Sequence, residues 1–267
     1  MKIGLIGCGN MGEAIVSRLA RAKPAAARSI IATDVDKAKM RKVRPRYGVR
    51  VADSIGKVVG FADVIIIAVK PKDFDAVLLS MRPCISTGKT IISIAAGITT
   101  GYIEKRLGKR IAVIRAMPNM PAVIGEAVSS ISAGKHAKKR DVNIARSIFS
   151  AVGEVVEVDE KLVDSVTAVS GSGPAYFFYF VECLIETAKE LGLAERIAKR
   201  LALKTALGSA KLLAACGEEP GVLRAKVTSK GGTTEAAFKA FEAEDFRGIV
   251  KKAVRRAHQR SRELSRR

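Results

Sequence analysis

Histidine is nearly missing from this sequence: His136 and His258 are the only two in 267 residues. A histidine-rich metal site or a Ser-His-Asp triad has little to build with, and no metal site is expected. Both histidines sit in basic stretches and read as surface residues. Tryptophan is absent and aromatic residues make up 5%, which leaves few platforms for stacking nucleic-acid bases. The four cysteines, Cys8, Cys84, Cys183 and Cys216, form no C-x-x-C pair and lie far apart. Reduced thiols are expected rather than a disulfide framework. Uninterrupted apolar runs such as residues 64–69 fall far short of the roughly 20 residues of a membrane span. The N-terminus offers one lysine and then a strand, so no signal peptide is expected. These absences together predict a soluble, cytoplasmic protein. Repeats and low-complexity linkers are absent too.

Acidic residues are few: 26 against 47 basic ones, a formal net charge of +21. Such a field attracts polyanions and small anionic ligands. The basic residues are dispersed over residues 37–50, 135–140 and the tail 251–267. A basic solvated surface is the simpler reading, and no specific nucleic-acid partner is expected.

Hydrophobic residues make up 48%, enough for two cored domains in a chain of this length. Residues 2–6, 29–33, 64–69, 90–94 and 111–115 are short, almost wholly apolar runs that read as strands buried on both faces. Helical patterns fall between them at 11–22, 36–47, 73–80 and 100–107. This βαβ alternation predicts a Rossmann-type, doubly wound parallel sheet in an α/β fold. A strand at 126–132, a helix at 138–151 and a strand at 154–158 complete a first domain, residues 1–160. From about Leu162 the pattern is helical throughout. Phe177, Val181, Leu184, Ala188 and Leu191 share one helical stripe, and Leu201, Thr205, Gly208 and Leu212 another, with Gly217 as a C-cap. Residues 245–264 form a strongly basic last helix. Residues 161–267 are therefore an all-helical domain, able to fold alone or to dimerise through an apolar face.

Several constellations carry chemistry. Gly7-Cys8-Gly9-Asn10-Met11-Gly12 follows the first strand and opens the first helix. That G-x-G-x-x-G spacing provides a tight turn, close backbone approach to a pyrophosphate, and free N–H groups at a helix N-terminus. Asp34 ends the second strand, where an acid accepts from the adenosine ribose and favours NADH. Asp36 is an alternative occupant of that role. Lys37, Lys39 and Arg41 follow at once; with the positive field and a reductive reaction they favour NADPH. Ala68-Val69-Lys70-Pro71, Ser93-Ile94-Ala95-Ala96-Gly97 and Arg115-Ala116-Met117-Pro118-Asn119 stand at further strand ends, where ligands of open α/β sheets bind. In the helical half, Ser170-Gly171-Ser172-Gly173-Pro174-Ala175 is a small-residue break before a long helix. Thr228-Ser229-Lys230-Gly231-Gly232-Thr233-Thr234 brings hydroxyls and glycines to a helix start, a design for a carboxylate.

Taken in order, these segments resemble the pyrroline-5-carboxylate reductase family, and the resemblance runs essentially end to end. It implies reduction of the cyclic imine 1-pyrroline-5-carboxylate, a small anion, to L-proline by hydride transfer from NADPH or NADH. It also implies a homodimer with interleaved helical domains, assembling to a decamer. Carried onto this sequence, it assigns cofactor contacts to Ile6, Gly7, Cys8, Gly9, Asn10, Met11, Ala68, Val69, Lys70, Pro71, Ala95, Ala96 and Gly97. The substrate falls to Gly232, Thr233 and Thr234, with Ser229 and Val227 shaping the pocket. Thr234 is the catalytic candidate, as hydrogen-bond donor to the imine nitrogen; a substrate that binds already protonated is the alternative. Lys230 departs from the family's usual proline, Met120 from its common threonine, and Asp34 from the small hydroxyl residues of NADP-preferring members. Two other readings compete. A β-hydroxyacid dehydrogenase would need a helical lysine beside an asparagine, and Lys204 and Lys211 lack one. A dinucleotide-sensing or nucleic-acid-binding protein would rest on charge alone.

Overall fold

Four strands of the first half have no exposed position. β1 (Ile3–Ile6), β2 (Ile30–Thr33), β4 (Val64–Ile67) and β5 (Thr90–Ser93) are buried at every residue. Alternate side chains enter two separate cores, which is what helices on both faces require. Leu5, Ile66, Ile92 and Ile114 belong to one core; Ile65, Ile67, Ile91 and Val113 belong to the other. Each fully buried aliphatic side chain contributes about 1.5–3 kcal/mol. The computed structural model describes residues 1–22 and 24–265, without the side chains of 24–26. The end of the basic tail, Arg266 and Arg267, lies outside the described residues.

The eight strands are ordered β3-β2-β1-β4-β5-β6-β7-β8. β3 (Arg50–Val51) is a short edge, and β6 spans Ala112–Met117. These six strands are mutually parallel. β7 (Ala127–Ala133) departs from this common direction and pairs antiparallel to β6, with β8 (Gly153–Glu157) parallel to β7. Only nine residues separate β6 from β7, and they contain the 3-10 turn Met120–Val123. That is too short for the crossover a parallel pair needs. α6 (Lys139–Phe149) supplies such a crossover between β7 and β8.

The connecting helices are α1 (Asn10–Ala22), α2 (Lys37–Tyr47), α3 (Ile55–Phe61), α4 (Phe74–Met81) and α5 (Thr100–Leu107). Asp36 caps α2, accepting from the N–H groups of Ala38 and Lys39, and Gly48 closes it at φ 68°. β3 and α3 are additional to the elements expected from the pattern. The seven residues of α3 are too few to show a helical period, although Ser54 caps it by accepting from Lys57 N–H.

The chain divides into two compact units: residues 1–172 with 257–267, and residues 173–256. The expected boundary at 160/161 marks the end of the strands. The packing boundary falls after Ser172, because α7 (Val163–Val166) and the π-turn Thr167–Gly171 pack with the sheet. A buried polar cluster fastens this segment. Arg115, 3% exposed on β6, sits 3.6 Å from a Glu160 carboxylate oxygen and 3.8 Å from one of Asp164. Glu160 accepts from the Thr100 N–H (2.7 Å) and hydroxyl (2.6 Å). Asp164 accepts from the hydroxyls of Ser261 (2.7 Å) and Ser265 (3.0 Å), on the last turns of α12 (Phe246–Ser265).

The second unit is helical, as the pattern predicts: α8 (Gly173–Glu190), α9 (Glu195–Cys216), α10 (Pro220–Lys226), α11 (Thr233–Ala243) and the start of α12. Gly217 ends α9 at φ 64°, in the left-handed region a C-cap uses. Its apolar stripes are not covered within the single chain. Phe177, Phe178 and Tyr179 are each about two-thirds exposed or more, and Leu201, Leu203 and Leu212 about half. A monomer rarely leaves so much contiguous apolar surface in water.

Candidate functional site

The glycine turn between β1 and α1 is held from three directions. Gly7 N–H donates to the Thr33 carbonyl (2.8 Å), Ala68 N–H to the Ile6 carbonyl (2.8 Å), and Cys8 N–H to Asp34 Oδ2 (2.6 Å). Gly7 has φ +99°, and a Cβ on Gly12 would lie 2.1 Å from the Gly7 carbonyl oxygen. Neither position accepts a side chain. At Gly9 the opposite holds: an added Cβ meets nothing within 4 Å. The space over Gly9 lies at the start of α1, whose first-turn N–H groups have no partner inside the helix. This is a cradle for a phosphate group, so the residues fit a dinucleotide.

The cradle opens into a cavity of about 820 Å³, the size of a nucleotide-ligand pocket. Cys8 to Met11 form one wall, Ala68 to Pro71 the second, and Ile94 to Ala96 with Met117 and Pro118 the third. Glu13, Lys39, Lys42, Val43 and Arg46 complete it. The structure thus joins the ends of four strands, β1, β4, β5 and β6, that lie far apart in sequence. Four cofactor candidates lie off the wall. Ile6 is buried in the sheet, Gly7 forms the turn behind the cradle, Asp34 braces the loop, and Gly97 turns at φ +74° beneath the carbonyl of Leu264. Arg115 and Asn119 do not reach the crevice either. Arg115 is committed to Glu160 and Asp164, while Asn119 donates to the Ser170 carbonyl and accepts from Val128 N–H. Asp36, the other ribose candidate, is occupied as the cap of α2.

Lys42 and Arg46 are wall residues that the sequence reading missed. Their signal is helical spacing: Lys39, Lys42 and Arg46 stand at i, i+3 and i+7 on α2, one face of one helix. Two titrations are displaced near this wall. Burial, then the neighbouring Asp34 carboxylate, pushes the Cys8 thiol up to about 12, so it is inert at neutral pH. Burial and its bond to Glu13 raise the Tyr47 phenol; that hydroxyl donates to Glu13 Oε1 at 2.8 Å, and Arg46 Nη1 approaches the same oxygen at 3.1 Å.

In the second unit, the segment before α11 is shaped by two glycines. Gly231 has φ +73° and donates its N–H to Glu235 Oε2 (2.9 Å), while Gly232 N–H donates to the Ser229 carbonyl (3.0 Å). A Cβ on Gly232 would lie 2.5 Å from Ser229 Oγ, so the turn packs against that hydroxyl. Gly232 is the N-cap of α11, and Thr233 and Thr234 stand in its first turn. Thr233 and Val227 are exposed, Thr234 half-buried. First-turn amides and the Thr233 and Thr234 hydroxyls stand side by side here, donor groups of the kind that suit an anion. Among the described residues, no group of three or more His, Cys, Asp or Glu is placed to hold a metal ion.

Comparison with known proteins places both segments in one context. Residues 160–264 match the family model described as pyrroline-5-carboxylate reductase dimerisation, and residues 2–97 match NADP oxidoreductase coenzyme F420-dependent. A pyrroline-5-carboxylate reductase of Synechocystis is 41% identical over 99% of this chain and 98% of its own length. A solved pyrroline-5-carboxylate reductase from Coxiella burnetii superposes with TM-score 0.92 at 36% identity, covering 100% of this chain and 99% of that one. The Plasmodium falciparum enzyme, crystallised with NADP bound, gives TM-score 0.90 at 29% identity over 99% and 98%.

Proposed function

The chain belongs to the pyrroline-5-carboxylate reductase family, and we propose that it does that family's work through the residues described above. It reduces 1-pyrroline-5-carboxylate to L-proline, the last step of proline biosynthesis, with NADPH or NADH as reductant. The observation that carries this reading is one cavity walled by a phosphate cradle and by three further strand ends, in a chain whose helical part matches the family's dimerisation segment.

The first-turn N–H groups of α1 take the pyrophosphate, over the open space at Gly9. Residues Ala68 to Pro71 and Ala95 to Ala96 position the rest of the dinucleotide, and Gly7 and Asp34 hold the loop in place. When bound, the nicotinamide supplies a hydride. The first turn of α11 takes the substrate carboxylate: N–H groups beyond Gly232 and the Thr233 hydroxyl bind it, with Ser229 and Val227 shaping the turn. The imine nitrogen must carry a proton for its carbon to accept hydride. Thr234 holds that nitrogen by a hydrogen bond, the proton arriving by water or with the substrate. No strong general acid is required, so the main work is positioning.

The chain forms a homo-oligomer through its dimerisation segment. The finer proposal is an interleaved dimer, residues 161–267 acting as its substrate-binding and dimerisation domain, with dimers assembling to a decamer. The exposed phenylalanines of α8 and leucines of α9 support it. Light scattering should then give a mass ten times that of the 28.5 kDa chain. Among the described residues no helix is long and apolar enough to cross a membrane, and we take the cytoplasm as its working place. The deciding assay follows NAD(P)H oxidation at its near-ultraviolet band with 1-pyrroline-5-carboxylate, against hydroxy acids with NAD(P)+. Turnover with the imine is expected; turnover with a hydroxy acid alone would overturn the assignment.

A further inference from the structure

We propose that α2 makes this chain prefer NADPH, with Lys39 and Lys42 as the residues that bind the ribose 2′-phosphate. The proposal rests on the dinucleotide reading of the cavity and decides which dinucleotide it takes. Asp34 taken alone argues for the other choice, because it ends β2 where a carboxylate usually accepts from the ribose hydroxyls. The structure commits that carboxylate elsewhere. Oδ2 accepts from Cys8 N–H at 2.6 Å and Oδ1 from Asp36 N–H at 2.8 Å. The Asp34 side chain is only 8% exposed, and it is not among the described residues walling the cavity. Its role is to brace the glycine turn.

The wall carries the opposite sign. Lys39, Lys42 and Arg46 project from one face of α2, and Lys70 lies at the end of β4. Glu13 is the single acid among them, and it already accepts from Tyr47 and Arg46. That leaves three lysines, of which Lys39 and Lys42 share the face of α2. Lys39 Nζ stands 3.9 Å from Asp34 Oδ2 and 4.0 Å from Asp36 Oδ2, at the outer limit of an ion pair and beyond hydrogen-bond distance. It screens the Asp34 charge while keeping its own donors for a stronger acceptor. A 2′-phosphate, nearly doubly charged at neutral pH, is such an acceptor; a ribose hydroxyl is not. Lys37 and Arg41, the other cations that closely follow Asp34, are not on the wall.

The test separates this inference from the enzymatic reading by using nucleotides that cannot react. Adenosine 2′,5′-bisphosphate and 5′-AMP are titrated into the full chain by calorimetry, in the parent and in a Lys39→Ala/Lys42→Ala variant. Both substitutions are on exposed helical positions, and a parent-like melting curve verifies the fold. The bisphosphate should bind the parent at least about tenfold more tightly than 5′-AMP, from charge-assisted hydrogen bonds to one added phosphate. That ratio should collapse towards one in the variant and shrink with added salt. The ratio of kcat/KM for NADPH over NADH should fall in parallel. Equal binding of the two nucleotides by the parent, or a ratio that survives the double substitution, would overturn the proposal while leaving imine reduction intact. If neither nucleotide bound, the dinucleotide reading itself would fall, and this inference with it.

Discussion

Replacing Arg115 by methionine tests whether the polar cluster behind the cavity holds the first unit together. The guanidinium is 3% exposed and lies 3.6 and 3.8 Å from two carboxylates. At an effective dielectric of about 20, each contact is worth about 4–5 kcal/mol in Coulomb terms. Burying the cation consumes most of that gain, and one of its nitrogens, Nη2, has no hydrogen-bond partner. Methionine fills the space but leaves Glu160 and Asp164 without a counter-charge. Breaking a buried pair typically costs about 3–5 kcal/mol. Both carboxylates keep their hydroxyl donors, and Glu160 the Thr100 amide, so the lower end applies, about 3 kcal/mol. For a chain of this size that lowers the melting temperature by about 6–12 °C. Thermal melting at neutral pH measures it, with Lys57→Ala as control. Lys57 pairs with Asp53 with both side chains about two-thirds exposed, and its loss should cost under about 2 °C. Adding Asp164→Asn to Arg115→Met should recover part of the loss, because it removes an uncompensated charge. A melting temperature within about 2 °C of the parent for Arg115→Met would refute the reasoning.

Other outcomes follow from the two helix starts. Gly12→Ala places a Cβ 2.1 Å from the Gly7 carbonyl oxygen, where backbone faces backbone; stability should fall by about 1–3 kcal/mol, and calorimetry should find NADPH affinity weakened at least about a hundredfold. An affinity within about threefold of the parent would show that the turn tolerates the methyl. Thr234→Ala should lower turnover while NADPH affinity stays nearly unchanged, and an unaltered kcat/KM would remove Thr234 from the mechanism. Cys8 should resist thiol reagents at mildly alkaline pH while exposed Cys84 reacts, read by peptide mass mapping. The Cys8 proton also gives a sign. The folded thiol titrates at about 12 and the unfolded one at 9.0. Above pH 9.0 the unfolded chain sheds a proton the folded chain keeps, so this group's contribution declines as pH rises from 9.0 towards 12. Cys8→Ala should make the alkaline loss of stability shallower.

Much of this protein is legible residue by residue. The β1–turn–α1 unit follows from a short apolar run and glycines at fixed spacing, because turn geometry and helix capping are local. The paired cores follow from β-branched runs such as residues 64–67, apolar on every position, since only a sheet covered on both faces hides them. Gly217 as a cap and the helical texture beyond Leu162 are local in the same sense. Other features depend on partners distant in sequence. Arg115 belongs to a strand-end motif expected at the crevice, yet its partners lie 45 and 49 positions away, at Glu160 and Asp164. Asp34 stands where a ribose acceptor belongs, and only the folded turn shows Cys8 N–H taking its carboxylate. The direction of β7 was set by a connection too short to cross over, a constraint of chain length rather than of residue type. Sequence by itself picked out the starts of α1 and α11 as the candidate anion sites, because both are built from contiguous backbone. Tertiary structure alone decided which charges face the cavity, because that depends on which face of α2 the sheet leaves open and which carboxylates are already taken by buried amides.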